Sequence, residues 1–214
     1  MAQSSGPRGG YRKGTERRRE IIAAAAELFA ESGYRNSSMR ELAKRVNLTQ
    51  PGLLHYFANK EELLVEVLGL RDSSVENYLS TFQATDVATR SREVARHSAE
   101  HEGLTSLFII LSAEAIDGDH PAHGYFAEHY RSAQIQTREP DSETNASTSR
   151  LTPEMIATLG IAVQDGLQLQ RRYREDLDVV EAVDAFWRLV AAARRSLSPA
   201  IADGAGCALN ESAR

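Results

Sequence analysis

The residues best placed to do chemistry lie in the stretch SSMRELAKRVNLTQPGLLHYFANK, from Ser37 to Lys60. In its second half Leu53 and Phe57 share one side of a helix, which leaves Gln50, Pro51, Gly52, Leu54 and His55 facing outward. A short helix that exposes its first residues after a tight turn has the geometry of a reader of the DNA major groove. A second group is His97 and His101, at i and i+4 beside Glu100, with His120 and His123 near Asp117 and Asp119. Such residues can ligate a metal, but the order His-Glu-x-x-His of a zinc hydrolase is missing. Solvated histidines are therefore expected, with no metal and no other cofactor. Neither a Gly-rich phosphate loop nor a Gly-x-Ser-x-Gly elbow occurs, so no motif points to an enzyme.

Caps and periodicity show which elements must hold the first group. Ser38 followed by Glu41 is a capping box, opening a helix whose Met39, Leu42, Ala43 and Val46 form one stripe. Asn47 tolerates the left-handed turn and Leu48 plugs it. Thr49 caps the next helix, where an early Pro51 costs little because first-turn amides have no intrahelical partner. Upstream, Ile21, Ile22, Ala25, Leu28 and Phe29 predict a helix over 15–32 that Gly33 ends. Arg17, Arg18 and Arg19 on its first turns are either phosphate contacts or a solvated face. Downstream, Asn59 and Glu62 open a helix from Lys60 to about Phe82, a mechanical connector into a larger domain. Further helices are expected near 87–101, 104–117, 121–136, 153–172 and 177–197, and no alternating strand pattern occurs. The fold class is all-α. Residues 1–14 read as a disordered basic leader, 15–60 as the helix-turn-helix domain and 61–197 as a larger helical domain. Residues 137–151 read as a polar loop and 198–214 as a flexible tail.

Charge separates the two ends. The net charge is −5 overall, yet residues 1–60 hold 11 Lys/Arg against 5 Asp/Glu, while 61–214 hold 14 against 25. Phosphate binding needs a local basic surface, so this asymmetry favours DNA as partner. The rival reading, a dimeric helical protein whose helix-turn-helix meets protein, has no need of it. No apolar run is long enough for a membrane span and no secretion signal is present. The single Cys207 fits a reducing cytoplasm. The last two helices are apolar over more than one face: Ile156, Leu159, Val163 and Leu167 on one, Val183, Phe186, Trp187 and Val190 on the other. Such helices need cover on more than one side, and pairing with a second copy would supply it.

The run RREIIAAAAELFAESGYRNSSMRELAKRVNLTQPGLLHYFANKEELLVEVL resembles the DNA-binding domain of the TetR (tetracycline repressor) family of bacterial transcriptional regulators. The segments GLTSLFIILSAEAIDGDHPAHGYF and DGLQLQ resemble, more weakly, the ligand and dimer domain of a subset of that family. The resemblance implies a homodimer that binds a palindromic double-stranded operator, usually as a repressor released by a small molecule. It aligns Arg40, Gln50, Pro51, Gly52 and His55 with base-facing positions, and Ser38, Thr49, Tyr56 and Lys60 with backbone-facing ones. Arg suits guanine O6 and N7, Gln suits adenine N6 and N7, and Pro packs on a thymine methyl. Leu54 departs from the Tyr common in the family; it can pack on a thymine methyl but cannot reach a phosphate. For the effector pocket, the mid-chain helices offer Phe108, Ser112, Tyr125, Phe126, Gln164 and Gln168, aromatic walls with a few polar handles.

Overall fold

The computed structural model describes residues 8–82, 86–138 and 152–197. These form α1 (Arg8–Ser32), α2 (Met39–Arg45), α3 (Gln50–Leu54), α4 (Lys60–Ser80) and α5 (Val87–Glu100). They continue as α6 (Glu102–Glu114), α7 (His123–Thr137), α8 (Pro153–Arg171) and α9 (Val179–Leu197). No strand occurs among the described residues.

The starts are capped as the sequence indicates. Ser38 Oγ accepts the Glu41 amide at 3.2 Å, Thr49 Oγ1 accepts that of Gly52 at 3.2 Å, and Asn59 Oδ1 accepts that of Glu62 at 2.7 Å. Glu62 in turn accepts the Ala58 amide at 2.7 Å, so the start of α4 is closed from both sides. The two reversals also follow the sequence: Gly33 has φ +79° and ends α1, and Asn47 has φ 52° in the turn before α3.

Two cores hold the chain together. The first joins Ile21, Leu28 and Phe29 of α1, Leu42 of α2, Leu53 of α3, Phe57, and Leu63, Leu64 and Val67 of α4 to Leu107 and Leu111 of α6 and Phe126 of α7. The packing therefore runs through residue 60, where the sequence suggests a domain boundary. Gly103 makes the junction possible: a Cβ there would lie 3.2 Å from that of Ala30, so α6 rests directly on α1. The second core is smaller: Val87 and Ala95 of α5, Ile156 of α8, and Val179, Val183 and Trp187 of α9.

Two expectations need correction. Helix α1 starts at Arg8, inside the segment expected to be disordered. Once α1 is nucleated by its packed turns, each added residue gains a hydrogen bond, which carries the helix through a glycine-rich stretch. Of the eight residues expected at a dimer interface, Ile156, Val183 and Trp187 are only 4 %, 2 % and 6 % exposed within the single chain. The second apolar face of α9 is covered by α5, where Arg92 also bonds Asp184 at 2.7 Å. The expected loop lies outside the described residues except Thr137, which ends α7, and Arg138; the expected tail and Cys207 lie outside them entirely. Among the described residues no helix is long and apolar enough to cross a membrane.

A candidate DNA-reading surface and the cavity behind it

Leu53 and Phe57 are both 0 % exposed and fix α3 on the first core. With those two anchored, Gln50, Pro51, Leu54 and His55 are exposed and Gly52 is half-buried. Gly52 has a local reason to be small: a Cβ there would lie 3.2 Å from Thr49 Oγ1, the capping atom. Arg40, on the outer side of α2, is exposed as well. Among the described residues, none of Arg40, Gln50 and His55 spends its side-chain polar atoms on the chain itself. Leu54 is 42 % exposed on the same face, an apolar spot among polar groups.

The expected phosphate anchors differ from one another. Ser38 and Thr49 are exposed caps whose hydroxyl protons remain available. Tyr56 is half-buried against the first core. Lys60 is folded back, its Nζ 4.3 Å from the centre of the Tyr34 ring and 3.5 Å from the Arg35 carbonyl. Partial burial lowers its pKa against the opposing pull of Glu61. Burial, then Glu61, pushes the Tyr34 phenol up to about 12. To meet a phosphate, Lys60 must leave Tyr34.

The Arg17–Arg19 run turns out to be mostly structural. Arg17 donates to the Val46 carbonyl and bonds Glu20 at 2.6 Å. Arg18 donates to the Tyr56 carbonyl, bonds Glu62 at 3.2 Å and Glu66 at 2.7 Å, and lies 4.1 Å over the Phe57 ring. It thereby ties α1, the end of the reading helix and α4 to one another. Only a view of α4 beside α1 reveals this, because the partners lie 38 to 48 positions away. Arg19 alone of the three is an exposed side chain.

Behind this domain lies a cavity of about 500 Å³ walled by α4 to α8. Phe108, Tyr125, Gln164 and Gln168 line it as the sequence suggests. Ser112 and Phe126 do not: Phe126 is 4 % exposed in the first core, and the Ser112 hydroxyl donates to the Ile109 carbonyl at 2.8 Å. The sequence reading missed the charged part of the wall, since charged residues on a helix ordinarily mark a solvated face. Arg71 stacks 4.1 Å over Phe108 and bonds Asp72 at 3.0 Å. Asp72 also accepts the Tyr125 hydroxyl at 2.5 Å and lies 3.3 Å from His129 Nδ1. Burial opposes ionisation of Asp72, but His129, Tyr125 and Arg71 together keep its pKa below the ordinary range. Across the cavity, Asp165 accepts the Tyr130 hydroxyl at 2.9 Å.

Of the histidines expected to be solvated, His101 and His123 are exposed, His120 is half-buried and His97 is buried. His97 is 7 % exposed, 3.0 Å from the Ser74 hydroxyl through Nε2, and stacked between Tyr78 and His101, with ring centres 4.7 and 4.2 Å away. Its ligand atom and those of Glu100 and His101 lie within 4.8 Å of one another, so the trio converges as a metal site would. Yet His97 Nε2 is shared with Ser74, and His101 Nδ1 is 2.9 Å from the His97 carbonyl, contacts that explain the cluster as helix packing. His120 and His123 staple the α6–α7 turn, through the Ala122 amide at 3.2 Å and the Ala115 carbonyl at 2.8 Å.

A capped helix-turn-helix on a three-helix core, continued by a long helix into a hollow helical domain, is the architecture of a DNA-binding regulator. Residues 21–67 match the profile of bacterial regulatory proteins of the tetR family, so the DNA-reading domain is of that family's kind. It is 27 % identical over 165 residues to the transcriptional repressor KstR2 of Rhodococcus jostii, covering 76 % of this chain and 71 % of that one. It is 35 % identical over 100 residues to the transcriptional activator FasR of Mycolicibacterium smegmatis, covering 44 % of each chain. The fold resembles that of AibR, solved with isovaleryl coenzyme A and operator DNA, with a TM-score of 0.58 at 24 % identity over 81 % of this chain and 97 % of that one.

Proposed function

We propose that the protein is a homodimeric repressor that reads a palindromic operator and releases it when a small molecule enters the cavity. One observation carries this reading: Arg40, Gln50 and His55 are polar, exposed and, among the described residues, unpaired on a face whose apolar anchors Leu53 and Phe57 are buried. Arg40 and Gln50 are the types that pair bidentately with guanine and adenine. A second copy pairs through α8 and α9, which keep Leu159, Leu169 and Leu189 at 45 %, 48 % and 70 % exposure. The half-buried Val163, Leu167, Phe186 and Val190 complete that surface.

The link between sites is α4. Its first residue, Lys60, lies against Tyr34 and Arg35 of the reading domain, and its Arg71, Asp72, Val75 and Glu76 line the cavity. About 16 Å of one helix, at 1.5 Å per residue, separates the two sets. A ligand that moves the cavity end by a fraction of a turn moves the spacing of two reading helices, which must sit roughly 34–36 Å apart to enter successive grooves. A coupling of about 1–3 kcal/mol changes operator affinity about 5- to 150-fold. Selection of sites from a random duplex pool by the full chain tests the reading. A palindrome with half-sites about one turn apart supports it. Enrichment of a lone half-site would contradict the dimer, and no enrichment would contradict sequence reading.

A further inference from the structure

We infer that the cavity takes a protonated amine carrying an apolar body, with the ammonium group against Asp165 on α8. This rests on the cavity being the effector site, and it follows from which charges there already have partners. Lining the cavity are Arg71 and Arg90 against Asp72, Glu76, Glu128 and Asp165, an excess of carboxylates. The Arg71 and Asp72 charges compensate each other at 3.0 Å, and Glu128 is held by Arg131 at 2.7 Å on the exposed side. Arg90 turns toward Gln136, to which it donates at 2.9 Å. Glu76 is exposed.

Among these carboxylates Asp165 is different. It is half-buried in the wall, and the neutral hydroxyl of Tyr130 is its sole hydrogen-bond partner among the described residues. Burial drives its carboxyl above the ordinary range, against the opposing effects of Tyr130, His129 and Arg71. A carboxylate in that state gains a strong, charge-assisted bond from an incoming ammonium group. An incoming carboxylate or phosphate would instead lie against a like charge, in a wall where carboxylates outnumber guanidinium groups.

A second group points to the rest of the ligand. Gln168 lies three residues along α8, is 5 % exposed, lines the cavity, and has an Nε2 with no partner among the described residues. A buried amide donor without an acceptor is costly, and an acceptor oxygen on the ligand removes that cost. The helix rise sets the two polar features about 4.5 Å apart along its axis. Phe108, Val75, Leu79, Val94 and Ile161 supply apolar wall for the body.

Decylamine, decanol and decanoate share one chain and differ only in the head group, so calorimetric titration of each into the full-length protein isolates the charge preference. Decylamine should bind at least about tenfold more tightly than decanol, the scale of one charge-assisted hydrogen bond, and decanoate more weakly than decanol. Asp165→Asn should remove the advantage of decylamine over decanol, while Tyr130→Phe, which frees the carboxylate, should keep or enlarge it. A tighter decanoate, equal amine and alcohol, an advantage that survives Asp165→Asn, or no binding by any of the three would each overturn the proposal. Retention of duplex DNA by the same sample at low salt separates the outcomes. A protein that holds DNA but shows no amine preference sinks this inference alone; one that does not hold DNA sinks the regulator reading.

Discussion

The two cores differ in what they tolerate, and the difference divides the labour of the molecule. In the first, Ile21, Leu53, Phe57, Leu63, Leu64 and Val67 are all 0 % exposed, and cation and carboxylate groups at its edge close on each other through Arg18. Between the first core and the second, bordered by Phe108 of the one and Val87 of the other, a cavity of about 500 Å³ remains, with a carboxylate lacking a cation and an amide lacking an acceptor among the described residues. Close packing fixes a shape, which a reader of base edges needs. A hollow with unmet polar groups gives up stability that a ligand can restore, which a sensor needs. Helix α4 serves both the first core and the cavity, through Leu63 and Leu64 at one end and Asp72 and Val75 at the other.

The sharpest way to break this contrast is to truncate one residue in each region. Phe57→Ala should cost about 3–5 kcal/mol by urea unfolding and abolish DNA binding, whereas Ile161→Ala in the cavity wall should cost only about 1 kcal/mol because that side chain already faces a void. Equal costs would erase the distinction. Gln50→Ala should lose about 1–3 kcal/mol of affinity for a selected operator with little change on random DNA. Lys60→Ala should weaken both alike and lower the salt slope by about 1. Anisotropy titrations at two salt concentrations separate those outcomes, and equal losses on both DNAs for Gln50→Ala would remove it from the base readers.

Smaller effects sharpen the join between the regions. Arg18→Ala should cost about 1–2 kcal/mol, since its partly exposed ion pairs are screened but its bond to a backbone carbonyl and its stacking are also lost. A change within error would show that α1 and α4 hold together by apolar packing alone. His97, in the α4–α5 contact, has its pKa lowered by burial first and His101 second, with Glu100 opposing and Arg71 assisting. The unfolded chain therefore takes up this proton more readily than the native one. The stability involved is present above about pH 6.5 and is lost as pH falls toward the folded value. The thermal midpoint should drop between pH 7.5 and 5.5, and His97→Gln should flatten that drop; an unchanged slope in the variant would assign it elsewhere. Asp72, lowered from the carboxylate range, contributes only at more acid pH.

Local signals explain what was legible in the sequence. Caps such as Ser38, Thr49 and Asn59, the reversals at Gly33 and Asn47, and the outward set on α3 depend on residues within a few positions of each other. What escaped depends on partners far apart in the chain. Arg18 looks like a solvated or phosphate-facing cation until Glu62 and Glu66 are placed beside it. Trp187 looks like an interface residue until α8 closes on it at Gly160, where a Cβ would lie 3.1 Å from the indole. Arg71, Asp72 and Asp165 carry no periodicity signal, because a polar group inside a cavity and one in water have the same pattern on their own helix. Leu54 stays as first noted, an exposed apolar residue on the reading face.

The central claim is that filling the cavity moves the reader through α4. Val75→Trp tests it most directly: Val75 is half-buried on α4 and lines the cavity, which has room for an indole. Operator affinity of this variant should fall by about 5- to 150-fold while its unfolding free energy is held or raised. A stable Val75→Trp protein that binds operator as tightly as the parent would contradict the account.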